Sequence, residues 1–295
     1  MRVDVACADF LEYCRLERQL SGNSLTAYRQ DLDEFQRFFP NRLISRITGD
    51  MLVEYAQQLS AYRGLAPASV KRRTACLRAR LSRLKRLNVI VSDPFADIDL
   101  RIRIPSRLPL CLSAPDVQLL LARSKACSTT YVAVLLLVTT GLRISELAAI
   151  HLGDIDLQQH TIRILGKGNR ERQVFLSDSA VAEILRGYIT AKHGARPGVS
   201  CRLLVNSRGR PATAACLRHQ ISKAARRAGV ARHVTPHMLR HTAATTLIEA
   251  GVDIRFVQRL LGHRSITTTQ IYTHVSDSAL KGAIVAANVY RAMEG

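Results

Sequence analysis

No acidic residue occurs between Glu54 and Asp93, while nine Lys and Arg residues fill that stretch, among them Lys71, Arg72, Arg73, Arg78 and Arg80. Val70, Leu77, Leu81, Leu84 and Leu87 recur between them at helical spacing. The pattern predicts an amphipathic helix with an apolar face turned inward and a basic ridge turned out. Like charges three and four residues apart repel one another, and no acid in the same stretch neutralises them. Phosphates are the expected counter-charge, so Lys71, Arg72, Arg73, Arg78 and Arg80 are candidate DNA contacts.

The rest of the chain shares this bias. Over 295 residues, 43 Lys and Arg stand against 23 Asp and Glu, a net charge of +20, yet 47% of residues are hydrophobic. That apolar content argues for folded domains with a polyanionic partner rather than for a disordered basic tail. A second acid-free stretch, between Glu183 and Glu249, holds twelve Lys and Arg. The longest apolar run, Val132 to Val138, falls far short of the roughly 20 residues a membrane helix needs. Met1-Arg2-Val3-Asp4 lacks the apolar stretch of a signal peptide. A cytoplasmic, nucleoid-associated protein with no membrane partner is expected. The seven cysteines are scattered and include no Cys-x-x-Cys pair, which points neither to a disulfide framework nor to a cysteine zinc site.

Residues 1–100 read as a helical DNA-binding domain. Ser24 is placed to cap a helix running to Phe39, and Thr48 to cap another from Asp50 to Ser60. Residues 101–112 form a linker, because Pro105-Ser-Arg-Leu-Pro109 holds the chain extended. Residues 113–295 form a second, mostly helical domain, opened by Ser113-Ala-Pro115-Asp116 as cap and first turn. A buried helix is expected from Tyr131 to Thr140, closed by Gly141. Thr161–Leu165 and Gln173–Leu176 have strand composition and flank the glycine-rich tip Gly166-Lys167-Gly168-Asn169-Arg170, which predicts a small antiparallel hairpin. The fold class is mainly α, in two domains.

Breaking a phosphodiester requires a nucleophile, a proton donor for the departing oxygen, and cations on the non-bridging oxygens. The basic segments contain no converging carboxylates for a metal, so Arg, Lys and His are the candidates. Thr140-Gly141-Leu142-Arg143-Ile-Ser145-Glu146 places Arg143 at a helix-to-helix junction, with Ser145 as the expected cap. Arg143 and Glu146 there are equally readable as a structural ion pair. Lys167 alone reads as a solvated turn lysine. Thr235-Pro236-His237-Met-Leu-Arg240-His241 opens a helix, and His237 and Arg240, three apart, are expected on one face. His233, His237 and His241 have the spacing of zinc ligands. Pro236 separates His233 from that helix, and no Glu follows His237, so no metal is assigned. Leu261-Gly262-His263 ends a further helix, and Tyr272 follows in a segment where a lone tyrosine is ordinarily a packing residue.

Taken together and in order, Gly141-Leu-Arg143-Ile-Ser-Glu146-Leu, Gly166-Lys167-Gly168-Asn-Arg-Glu-Arg172, His237-Met-Leu-Arg240-His241-Thr, Leu261-Gly-His263 and Tyr272 resemble the tyrosine recombinase family of phage-type integrases and Xer-type resolvases. The resemblance covers essentially the whole chain. It implies that Arg143 and Arg240 hold the scissile phosphate, Lys167 protonates the leaving oxygen, His237 assists proton transfer, His263 donates to the phosphate, Tyr272 attacks, and Glu146 supports from behind. The implied activity is site-specific cutting and rejoining of double-stranded DNA through a covalent 3′-phosphotyrosyl intermediate, without cofactor or metal. The implied assembly clamps duplex DNA between its domains and forms a tetrameric synapse on paired sites, with accessory recombination proteins. Leu280, Ile284 and Ala287, at positions i, i+4 and i+7, form one apolar stripe if the tail is helical, which packs on its own domain or, as the resemblance implies, on a neighbouring protomer. Phe175 stands where close Xer-type relatives tend to carry proline. That departure and the high charge favour a mobile-element integrase or transposase over a dimer resolvase. A topoisomerase-like nicking enzyme and a non-catalytic DNA-binding protein are the rival readings.

Overall fold

The computed structural model describes residues 1–61, 63–104, 110–125, 128–166, 171–194, 198, 201–262, 277–288, 291 and 293. The chain divides into two compact units, Met1–Arg107 and Leu108–Gly295. The proline-bounded connector at 105–109 lies outside the described residues.

The first unit contains α1 (Val3–Leu16), α2 (Gly22–Phe38), α3 (Gly49–Ala61) and α4 (Pro67–Arg86), with a 3-10 turn at Ile44–Arg46. The cap of α2 is Ser21, whose hydroxyl accepts the Ser24 N–H at 3.4 Å, so this helix starts earlier than Ser24 was expected to start it. Phe10, Leu32, Phe35, Tyr55, Leu77 and Leu81 are buried together, with Phe35 edge-on to Tyr55 at 5.4 Å between centroids. Two expectations for α4 need correction. Arg80 is fully buried: its Nη2 donates to the Val3 carbonyl at 3.2 Å and its guanidinium lies over the Phe35 ring. It is a core arginine in this fold, not a surface DNA contact. The ridge also has counter-charges, supplied by neighbouring helices. Asp31 of α2 pairs with Arg72 and Arg73, Glu34 of α2 with Arg73, and Asp9 of α1 with Arg83. Lys71 and Arg78 remain exposed seven residues apart, Arg78 stacking over Phe95.

The second unit is built around α6 (Ser128–Thr140), in which every residue from Val132 to Thr140 is buried. A helix that is apolar on all sides must be enclosed. Here α5 (Ala114–Ser124), α8 (Ser179–His193), α9 (Ala214–Arg227) and α10 (Pro236–Glu249) pack against it. Ser113 caps α5 as expected, accepting the Asp116 N–H at 3.3 Å. The strands β1 (Ile155–Asp156), β2 (Thr161–Leu165) and β3 (Glu171–Phe175) form an antiparallel sheet in that order. Thr161 pairs with Phe175 and Leu165 with Glu171, which fixes the hairpin register; Phe175 is itself buried. The remaining elements are α7 (Ile144–Leu147), α11 (Ile254–Leu261) and α12 (Asp277–Ala287). Ile284 and Met293 are buried in this unit's own core and Ala287 packs against it. Among the described residues, no helix is long and apolar enough to cross a membrane.

Candidate active site

The geometry begins where α6 stops. Gly141 turns the chain with φ +64°, a conformation costly for any residue with a Cβ, and an added Cβ would lie 2.5 Å from Leu261 Cδ2. The tight turn therefore presses directly on the end of α11. Two residues on, Arg143 is the N-cap of α7, and its backbone N–H donates to Glu146 Oε2 at 2.9 Å. Glu146 thus supplies the reach-back half of a capping box. Ser145, expected to be the cap, is instead an exposed residue inside α7.

Glu146 is buried and holds two guanidiniums at once. Arg143 Nη1 donates to Oε1 at 2.8 Å, while Arg172 of β3 forks across both oxygens at 2.9 and 2.8 Å. Paired N–H donors matched to a carboxylate are the strongest neutralising arrangement a side chain offers. A third guanidinium, Arg240 on α10, is only 4% exposed. Its Nη1 donates to the Gly141 carbonyl at 2.7 Å and its Nη2 to the Leu261 carbonyl at 2.6 Å. Arg172 Nε donates to Leu260 O at 3.0 Å, and Arg143 Nη2 to Gly262 O at 3.0 Å. Three consecutive carbonyls at the end of α11 are therefore each bound by an arginine from a different element. Helix C-termini leave such carbonyls unsatisfied and carry partial negative charge, which cations favour.

Three guanidiniums lie in a cluster with one carboxylate, which pairs with Arg143 and Arg172 but not with Arg240, leaving two positive charges in excess among the described residues. The titration behaviour reflects this imbalance. Burial, with repulsion from Arg143 and Arg172 outweighing attraction to Glu146, lowers the Arg240 guanidinium to about 10. Burial alone would raise Glu146, but hydrogen bonds from Arg172 and from the Arg143 backbone overcome it and hold the carboxyl below its ordinary value. A largely buried site with surplus guanidinium charge is suited to an oxyanion, above all a phosphate that accepts in-plane N–H pairs. Arg143, about one-third exposed, opens this cluster to solvent.

The other expected site residues are placed as follows. Thr235 caps α10, accepting the Met238 N–H at 3.3 Å. His237 is exposed, with its ring 6.4 Å from that of His241, while Arg240, three residues on, is buried with its guanidinium on the Gly141 and Leu261 carbonyls. Burial, then the proximity of His237 and Arg240, lowers the His241 pKa. Among the described residues no group of three or more His, Cys, Asp or Glu side chains converges as a metal would need. Lys167, His263 and Tyr272 lie outside the described residues. Arg172 was not among the expected site residues. A signal for it did exist: in β3 it alternates with buried Val174, so a period of two places it on the inner face.

The comparisons with known proteins agree with this architecture. Residues 111–279 match the model of the phage integrase family, and residues 7–87 that of the phage integrase N-terminal SAM-like domain. A tyrosine recombinase of Agathobacter rectalis is 34% identical over 292 residues, covering 94% of each chain. The tyrosine recombinase XerC of Herpetosiphon aurantiacus is 37% identical, over 92% of this chain and 91% of its own. Among solved structures, the Tn1549 transposon integrase in complex with transposon right end DNA has a TM-score of 0.75 at 21% identity, over 96% of this chain and 98% of its own, a likeness of fold. The chain belongs to the phage integrase family of tyrosine recombinases, and its activity is that of a site-specific DNA recombinase.

Proposed function

We propose that the arginine cluster receives the scissile phosphate of double-stranded DNA. Arg143 and Arg240 engage the non-bridging oxygens, and Glu146 fixes Arg143 from behind. The Tyr272 oxygen attacks phosphorus, the bond to the 5′ oxygen breaks, and Lys167 gives that oxygen its proton. The product is a 3′-phosphotyrosyl ester and a free 5′ hydroxyl. His237 assists proton transfer and His263 donates to the phosphate. A tyrosine hydroxyl titrates near 10 in water, so the surplus cations also favour the phenolate that must attack. Because the ester preserves a phosphodiester's bond energy, a 5′ hydroxyl from a second strand displaces the tyrosine and completes exchange with no added energy source. The observation that carries this reading is the excess of two positive charges in a nearly buried site.

We further read the protein as a mobile-element integrase or transposase, acting as a tetrameric synapse on paired sites with accessory recombination proteins and associated with the nucleoid. The net charge of +20 supports this. A dimer resolvase is the second reading, favoured by relatives named XerC and XerD. Duplexes enriched by the protein from a random-sequence pool supply its site. Tyr272→Phe is expected to bind these duplexes with unchanged affinity and to form no denaturation-resistant adduct; an adduct from Tyr272→Phe overturns the mechanism. A pair of enriched sites bordering the gene supports the mobile element, whereas a lone site near the replication terminus supports resolution.

A further inference from the structure

The three carbonyl clamps on α11 are not equivalent. Arg143 and Arg240 are the arginines that the proposed reaction needs for the phosphate. Arg172 has a different set of partners: its Nη1 and Nη2 occupy both oxygens of Glu146 and its Nε occupies the Leu260 carbonyl. A guanidinium has five N–H groups in one plane, and here three of them span α7 and the end of α11, which Arg143 joins with only two, one on Glu146 Oε1 and one on the Gly262 carbonyl. Its side chain is 15% exposed, less than half the exposure of Arg143. Its stem also lies against the exit of α11, since a Cβ built on Gly262 would lie 3.5 Å from Arg172 Cδ, Nε and Cζ. Gly262 there has φ +63° and ends the helix. The chain then continues to His263 and Tyr272.

We propose that Arg172 is a positioning residue for strand cleavage: by bridging Glu146 to the last turn of α11, it locks the point where the nucleophile-bearing segment leaves the helix to the guanidinium that receives the phosphate. The inference rests on the proposed roles of Arg143 and Tyr272. Arg172 touches neither DNA nor the reacting atoms in this account. It holds two parts of the site in one register, and reaction rates are sensitive to such register: a misplacement of about 1 Å costs on the order of 100-fold. The planar fork is essential, because a lysine carries the charge but, with its donors on a single nitrogen, cannot set two parallel N–H groups on the carboxylate and a separate one on the carbonyl in one fixed geometry.

The test uses the full-length protein and duplexes enriched from the random pool. Arg172→Lys is expected to bind them as tightly as the wild type, to cleave on the order of 100-fold more slowly at saturating DNA, and to exchange the amides of residues 260–262 faster while those of α6 stay protected. Arg172→Gln, which retains planar N–H donors without charge, is expected to be at least as slow. Cleavage by Arg172→Lys within twofold of the wild-type rate overturns the proposal. So does slow cleavage with unchanged exchange at residues 260–262, or faster exchange throughout α6, which marks general destabilisation. Tyr272→Phe, run in parallel, separates the two levels: an adduct from that variant sinks the proposed reaction, whereas its absence together with a fully active Arg172→Lys sinks only the role of Arg172.

Discussion

At the scale of single residues, Glu146 and Arg240 make opposite compromises. Glu146 is a buried carboxylate with two guanidiniums on it, so Glu146→Gln leaves Arg172 and Arg143 facing each other with their shared charge partner gone. Breaking a buried pair from one side costs about 3–5 kcal/mol, and that loss is expected in urea unfolding. The same group sets an acid limit. Its carboxyl is held below its ordinary value in the fold, so its contribution is fully present above the unfolded-state pKa and is lost as the pH falls through the lowered, folded one. Stability of the wild type is expected to decline over that acid range, and Glu146→Gln to show a flatter profile there. For Arg240 the fold disfavours the charge, lowering it from 12.5 to about 10, a cost on the order of 3 kcal/mol. Its hydrogen bonds to Gly141 and Leu261 return about 1–3 kcal/mol each. These opposing contributions are of the same order, so Arg240→Met is expected to melt within a few degrees of the wild type while cleavage falls on the order of 100-fold to 1,000-fold. A large drop in melting temperature would instead make Arg240 chiefly a structural residue.

At the scale of elements, the junction from α6 to α7 joins the fold to the chemistry. Gly141→Ala forces a Cβ into a left-handed residue and against Leu261. The backbone strain alone is about 1–2 kcal/mol, and any shift of Leu261 moves the end of α11. A lowered urea midpoint together with slowed cleavage is expected; a lowered midpoint with normal cleavage would contradict the link. Local patterns were legible in the sequence where neighbours in the chain decide them. The enclosed α6, the hairpin strands, the Thr235 cap and Arg143 beside Glu146 all follow from spacing within a few residues. What was not legible came from partners far along the chain. Asp31 and Glu34 neutralise Arg73 from another helix, and Arg172 reaches Glu146 from 26 positions away. Arg80 was misread despite a local signal: it lies three residues after Leu77 and four before Leu84, which puts it inside the apolar stripe rather than on the ridge.

At the scale of the whole molecule, the C-terminal segment packs on its own unit. The burial of Ile284 and Met293 in the core of residues 108–295 makes them worth about 1.5–3 kcal/mol each to that unit. Deleting residues 279–295 is therefore expected to lower the thermal stability of dilute, DNA-free protein. An unchanged melting temperature would favour a tail whose partner is another protomer, as the family resemblance led us to expect. The proposed reaction leaves the DNA covalently joined to Tyr272. Its most direct test is to trap the protein on an enriched duplex nicked beside the cleavage site, digest it, and identify the modified peptide by mass spectrometry. A 3′-nucleotide ester on Tyr272 and on no other tyrosine is expected; attachment to Tyr290 or any other residue, or no covalent product from a protein that binds the duplex tightly, would overturn the proposed reaction.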